Sequence, residues 1–158
     1  MRHMKLDKID RRILHELQAD GRMTNVELAS RSGISAPPCL RRVRALEEEG
    51  YIQGYNARIN RNAMGYGITV FAKVRLNSHA DADLKAFSQA LDTLSDVRES
   101  WMIAGDSDYL LKVVAKDWEK YQVFLSEKLQ TLPNVAAIKS TLTIKSTKEN
   151  PGVPIEVA

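Results

Sequence analysis

Apolar positions in the first third of the chain recur at three- and four-residue spacing, and from about Ile68 onward they alternate. The first pattern belongs to helices that bury one stripe, the second to strands that bury one face. Leu6, Ile9, Ile13, Leu14 and Leu17 predict an opening helix, with Asp7 as N-cap and Gly21 beyond its end. Thr24-Asn25-Val26-Glu27 has the spacing of a capping box, in which Thr24 and Glu27 satisfy each other's free amides. The helix it opens carries Val26, Leu28 and Ala29 and stops before Gly33, which takes positive φ without strain. Ile34 then staples a tight turn, Ser35 N-caps a third helix, and Pro37 and Pro38 fall where a missing amide costs nothing. At ~100° per residue, Ala36, Cys39, Leu40, Val43 and Leu46 share the side expected to face a core. Arg41 lies nearly opposite, with Pro38, Arg44 and Ala45 beside it and Arg42 on the flank. After Gly50, Ile52 and Ile59 flank turn-forming residues and predict a short strand or wing.

Ile68 to Leu76 alternates cleanly and predicts a strand with one buried face. Leu84, Phe87, Leu91 and Leu94 predict a helix behind the cap candidates Asp81 and Asp83. Two β-prone runs follow, Val97 to Ala104 and Tyr109 to Ala115, joined as a hairpin by Gly105-Asp106-Ser107-Asp108. A second helix runs from Trp118 to Leu129, with Trp118, Tyr121, Phe124/Leu125, Lys128 and Leu132 along its stripe. Pro133 and Asn134 end it, and Val135 to Ser146 alternates again. The order βαββαβ is the ferredoxin-like plan, so the fold class is α+β. Helices cover one sheet face; Phe71, Trp101 and Ile103 suit the other, which is too apolar for water and calls for a second copy. The expected organisation is a helix-turn-helix domain over 1–52, a linker or short strand over 53–66, the βαββαβ domain over 67–147 and a Pro-interrupted tail over 148–158.

Two short helices with a tight turn, backed by a third, are how a small protein presents one helix to the major groove of double-stranded DNA. Arg41, Arg42 and Arg44 supply phosphate contacts and bidentate guanine contacts on the exposed side of that helix. The competing reading is a solvated face paired with Glu47, Glu48 and Glu49. Arg58 and Arg61 extend the basic surface into the linker. Residues 1–62 hold 12 basic against 8 acidic residues and the remainder 11 against 12, so the positive balance of the chain sits with the proposed DNA-binding half.

Other chemistries find little support. His3, His15 and His79 stand in separate elements, no set has metal-ligand spacing, and no nucleophile or base has a recognisable context, so neither an enzyme nor a metal or cofactor is expected. Cys39 is alone and falls on the core side of its helix, a small hydrophobe rather than a redox sensor. No apolar run approaches ~18 residues and no signal-peptide pattern opens the chain, so no membrane partner and a cytoplasmic, nucleoid-associated protein are expected. The opening Met1-Arg2-His3-Met4 reads as a loose tail.

Several separated motifs occur together in one order. They are Leu6-Asp7-Lys8-Ile9-Asp10-Arg11-Arg12-Ile13-Leu14, Asn25-Val26-Glu27-Leu28-Ala29, Pro38-Cys39-Leu40 with Arg42-Val43, and Leu46-Glu47. Gly50-Tyr51-Ile52-Gln53-Gly54-Tyr55, Gly105-Asp106, Asp108-Tyr109-Leu110-Leu111-Lys112 and Leu132-Pro133-Asn134-Val135 complete the set. Over nearly its whole length the chain resembles the Lrp/AsnC family of feast/famine regulators, most of all its leucine-responsive branch. The resemblance implies a homodimer built through the C-terminal (RAM) domains, assembled further into tetramers or octamers, with an amino acid effector bound between dimers. It implies DNA contacts from Thr24, Asn25, Ser35, Ala36, Pro37, Pro38, Arg41, Arg42 and Arg44. It implies an effector site from Trp101, Gly105, Asp106, Ser107, Asp108, Tyr109, Leu132 and Pro133.

The turn has suitable chemistry: Asp106 or Asp108 accepts from an ammonium group, and the Gly105 and Ser107 amides donate to a carboxylate. A hairpin turn is also rich in Gly and Asp for conformational reasons alone. Two positions depart from the leucine-responsive pattern. Ser107 stands where an aromatic residue is expected, which leaves the effector open, and Arg41 stands where an acidic residue is expected, which alters operator preference. The expected function is therefore a sequence-specific transcriptional regulator modulated by an amino acid. The alternatives are an architectural DNA-binding protein that senses nothing, and an interaction module serving a partner protein.

Overall fold

The computed structural model describes residues 5–157; the opening tail and His3 lie outside the described residues. The chain divides into two compact units, one running to Arg58 and rejoined by the segment from Glu149, the other spanning Ile59–Lys148.

The first unit holds α1 (Lys8–Ala19), α2 (Asn25–Ser32) and α3 (Ala36–Glu48). Ile13, Leu28, Ala29, Cys39 and Leu46 form its core, with Leu6, Ile9, Leu14, Leu17, Ile34, Val43 and Ile52 packed around them. The Thr24–Glu27 capping box forms as the spacing predicts. So does the αL turn: Gly33 has φ +70°, and the Ile34 amide reaches back to the Ala29 carbonyl at 3.1 Å. Asn25 Nδ2 donates to the Ala36 carbonyl at 2.9 Å and ties the start of α2 to the start of α3.

Charge fixes what this small core leaves loose. Asp7 and Asp10 form a second capping box at the start of α1, each carboxylate accepting from the other's amide. The buried Asp10 then takes a 2.7 Å bond from Arg42 Nη1, and the same nitrogen reaches Asp7 at 2.8 Å. Nearly two turns further on, buried Glu16 pairs with Arg12 at 2.7 Å and with Arg31 of α2 at 3.3 Å. An arginine from each helix of the pair is thus hooked to an acid on α1.

Two expectations for this unit need correction. Leu40, placed on the core side by the projection, is exposed, because Arg42 and Cys39 occupy the inner arc instead. Ser35 is the N-cap of α3 as expected, without a side-chain capping bond because the first-turn prolines lack the amides it would serve. No strand forms over residues 51–67, where a wing was expected: within the described residues this segment pairs with no other strand.

The second unit holds β1 (Ile68–Leu76), α4 (Asp81–Asp92), β2 (Val97–Met102), β3 (Tyr109–Ala115), α5 (Trp118–Phe124) and β4 (Val135–Leu142). The strands form one antiparallel sheet in the order β2-β3-β1-β4. Val70, Ala72, Val74 and Leu76 of β1 and Leu111 and Val113 of β3 meet Phe87, Leu91, Tyr121, Phe124 and Leu129 in a single core. Pairing of Phe71 with Lys112 and of Trp101 with Leu110 puts these residues on the opposite, open face.

Here too the structure departs from the pattern in particular places. Ala80, not Asp81 or Asp83, is the N-cap of α4; both aspartates lie in its first turn, where their charge still favours the helix N-terminus. The first hairpin strand and the last strand are shorter than expected, ending at Met102 and Leu142. After Phe124 the helix widens into a π turn, Leu125–Leu129. The wider turn shifts the buried stripe by one residue, so Leu129 is buried and Lys128, expected on the stripe, faces water.

The charged seam of the first unit carries two expectations. Arg42→Ala leaves buried Asp10 unpaired and should cost about 3 kcal/mol, read as a lower denaturant midpoint. An unchanged midpoint would show that apolar packing alone holds α3. The second concerns acid. The Asp7 carboxyl is held below its ordinary value of 3.8, first by the Asp10 amide and then by Arg42. Burial pushes Glu16 up, but the Arg31 hydrogen bond and the charges of Arg12 and Arg31 outweigh it, so this carboxyl too lies below its ordinary 4.5. Depressed carboxylates stabilise the folded state above their unfolded values, and that contribution is lost as pH falls through the folded ones. Melts should therefore be flat near neutrality and fall below about pH 4, less steeply in Glu16→Gln.

Candidate nucleic-acid interface and effector loop

The outward side of α3 carries Arg41 and Arg44, both exposed and without an ion pair or hydrogen bond among the described residues. Ser35 and Pro37 are exposed beside them at the start of the helix, and Ala36 and Pro38 are half-buried. Thr24 and Asn25 already serve the fold, Thr24 in its capping box and Asn25 across to Ala36. Arg42 is turned inward, and its guanidinium is held by Asp7 and Asp10. The three glutamates that follow do not neutralise the arginines. Glu47 instead accepts from the Tyr55 hydroxyl at 2.8 Å, and burial together with this carboxylate pushes the Tyr55 phenol up to about 12. Two free guanidiniums on one helical face, three residues apart, are what phosphate and guanine recognition requires.

In the second unit, the turn between β2 and β3 treats its two aspartates differently. Asp108 is committed to structure. One carboxylate oxygen accepts from the Leu76 amide at 2.7 Å, the other lies 2.7 Å from His79 Nε2, and its own amide donates to the Val74 carbonyl. The Leu76 amide, and after it His79, hold this carboxyl below its ordinary value. Asp106 is far less committed: its side chain is 83 % exposed, and its one ion pair among the described residues is a 4.0 Å contact with Lys73 Nζ. Gly105 has φ +141°, a conformation that favours glycine.

The remaining expected residues gather at the same end of the sheet in different settings. Tyr109 is buried, its ring 4.8 Å from that of Phe87, while Trp101 stands on the open face, 42 % exposed. Leu132 packs on the core, and Pro133 is exposed. Asn134, at φ +69°, donates to the Ser78 carbonyl and accepts from the Ser78 amide, pinning the 132–134 segment beside the end of β1. Sequence reasoning missed Lys73, His79 and Asn134 as neighbours of the loop. Only Asn134 carried a signal, as part of the Leu132-Pro133-Asn134-Val135 motif.

Comparison with known proteins agrees with both halves. A family model described as winged helix-turn-helix DNA-binding matches residues 6–53, and one described as Lrp/AsnC ligand binding domain matches residues 69–153. The leucine-responsive regulatory protein of Rhizobium meliloti is 51% identical over 92% of this chain and 94% of its own. Its counterpart in Escherichia coli is 41% identical over 92% and 88%. Among solved structures, a transcriptional regulator of Neisseria meningitidis in complex with L-methionine superposes with a TM-score of 0.91 at 31% identity, over 95% of this chain and 97% of that one. A feast or famine regulatory protein of M. tuberculosis complexed with L-methionine gives 0.87 at 32% identity, over 96% and 100%. A helix-turn-helix domain followed by this ligand-binding fold places the chain in the Lrp/AsnC family of DNA-binding transcriptional regulators.

Proposed function

We propose that α3 reads operator DNA in the major groove through Arg41 and Arg44, supported at its N-terminus by Ser35, Ala36, Pro37 and Pro38. The reading rests on one observation: these two guanidiniums are exposed and uncommitted, whereas Arg42 is spent on Asp7 and Asp10. Arg42 acts as a positioning residue rather than a DNA contact, and Thr24 and Asn25 hold the turn between the helices. A free amino acid binds at the Gly105–Asp108 turn and modulates DNA binding or assembly. Asp106 accepts from its ammonium group, and the Gly105 and Ser107 amides face its carboxylate. Trp101, Leu132 and Pro133 flank the loop, and Asp108 and Tyr109 shape it. A turn so open cannot enclose a ligand by itself, which favours a site completed by a second copy. The open sheet face supports a homodimer, assembled into tetramers or octamers as in the reading of the family. The protein acts on the nucleoid in the cytoplasm; among the described residues no helix is long and apolar enough to cross a membrane. The same residues contain no group of three or more His, Cys, Asp and Glu able to hold a metal.

Operator titrations separate the arginines. Arg41→Ala should relax discrimination at one base by about 1–3 kcal/mol if its contact is bidentate to guanine. Arg44→Ala should weaken all sequences alike and reduce the slope of log K against log salt by about 0.9, the signature of one lost phosphate contact. If both variants bound as wild type at matched salt, α3 would not be the reading helix. L-methionine, bound by two solved relatives, is the first amino acid to test in a panel of thermal shifts. At ~100 times its dissociation constant an effector adds about 2.7 kcal/mol. Asp106→Ala should abolish that shift and the effector's influence on DNA while leaving the unliganded melt unchanged. Asp108→Ala should instead lower the unliganded melt, because it removes the acceptor for the Leu76 amide. A full effector response in Asp106→Ala would remove that residue from the site.

A further inference from the structure

Within residues 149–157 the tail forms no helix or strand. It returns to the first unit, where Gln18 of α1 grips the backbone of Val153 from both sides: Gln18 Nε2 donates to the Val153 carbonyl at 2.7 Å, and the Val153 amide donates to Gln18 Oε1 at 3.1 Å. A side-chain amide used this way mimics a neighbouring strand, reading an extended peptide through its main chain. Gly152 lies flat against the same side chain at φ +90°, and a Cβ there would run into Gln18. Arg58 pairs with Glu149 at 2.7 Å where the tail enters. Beyond Val153, Pro154 and half-buried Ile155 border an apolar groove of about 600 Å³ whose other walls include Leu14, Leu17, Tyr51 and Ile52.

We propose that this groove is a docking surface for an extended peptide, that its occupant is the chain's own segment 149–157, and that the segment is a detachable strap. The contacts among the described residues argue for detachment: Gln18 alone supplies the two hydrogen bonds to Val153, the ion pair is exposed, Val153 keeps 64% of its surface in water, and the groove is not filled. An exposed pair of that kind adds little. The location argues for a consequence. The chain passes between its two units twice, at residues 58/59 and 148/149, so the docked tail is a second tether between them in addition to the linker. It is the tether that can let go. Docking also covers Leu14 and Leu17, which stand outside the small core of the first unit, so the strap is part of what stabilises that unit.

The test uses a chain ending at Lys148 and a labelled peptide of residues 149–157. Fluorescence anisotropy should show saturable binding to the shortened chain, binding at least ~10-fold weaker to the full chain, whose groove is occupied, and loss of binding when Gln18→Ala is placed in the shortened chain. No binding to the shortened chain, or equal binding to both, overturns the proposal. Should the shortened chain fail to fold, hydrogen exchange on the full chain decides the matter. The Val153 amide should be protected in wild type and exchange faster in Gln18→Ala and Gly152→Ala, with the first unit melting ~4 °C or more lower. Unchanged protection in both variants overturns the strap, and protection that falls on dilution assigns the groove to a neighbouring copy's tail and overturns the intrachain reading.

Discussion

One guanidinium nitrogen, Arg42 Nη1, sits between two carboxylates of α1, and the presentation of α3 depends on it. At ~100° per residue Arg42 falls within ~60° of Cys39 and Leu46, the two α3 residues buried in the core. Fixing Arg42 inward therefore fixes the helix phase, and Arg41 and Arg44 are carried to the far side, ~60° from each other. Apolar packing alone would define this phase loosely, since only five of the unit's described residues form its buried core. Ionic contacts add direction where the hydrophobic effect has none, and Glu16 does for α2 through Arg31 what Asp10 does for α3. The same sequence motif thus contains arginines with opposite employment, separated by a single position.

The Gly105–Asp108 turn divides its carboxylates by the same logic. Asp106 and Asp108 are two residues apart in a turn and chemically identical, yet Asp108 faces the Leu76 amide and His79 while Asp106 projects into solvent. A carboxylate already satisfied by a backbone amide and an imidazole has little left for a ligand's ammonium group. The one left exposed keeps its capacity.

Periodicity made the elements legible where burial is one-sided. Residues 68–76 alternate and residues 109–115 are a β-prone run, and both became strands with those bounds, while the Thr24–Glu27 box and Gly33 turn follow from local chemistry. The reading failed where a residue's partner is distant in sequence. Arg42 lay on the flank of an ideal projection, and only α1, 32 residues earlier, decides that it turns inward. Leu40 illustrates the same limit, because a projection ranks positions without knowing which neighbours claim the inner arc. The π turn after Phe124 is a change of period within one helix, which a constant 3.6-residue template cannot register, and it exchanged Lys128 for Leu129. Of the site residues, the exposed α3 arginines and the turn carboxylates were visible as residue types in a context. Which of each is free was not, because that depends on hydrogen bonds closed by Asp10, Leu76 and His79.

Lys73 connects the loop to the open sheet face. It stands on that face, opposite Lys139 in the β1–β4 register, and its ammonium is the cation nearest to Asp106. On the proposed reading, a ligand's ammonium group arriving at Asp106 competes with Lys73 for the same carboxylate. The displaced lysine is left on the surface proposed to hold a second copy. Phe71, Leu110, Val114 and Trp101 supply the apolar area of that face, while Lys112, paired with Glu99 at 2.7 Å, gives it a polar register. Effector binding and assembly then share a charge. By linkage, whichever sign the coupling takes, the influence of effector on assembly equals that of assembly on effector affinity. A regulator built this way needs no long route between sensing and assembly, because a single lysine belongs to both.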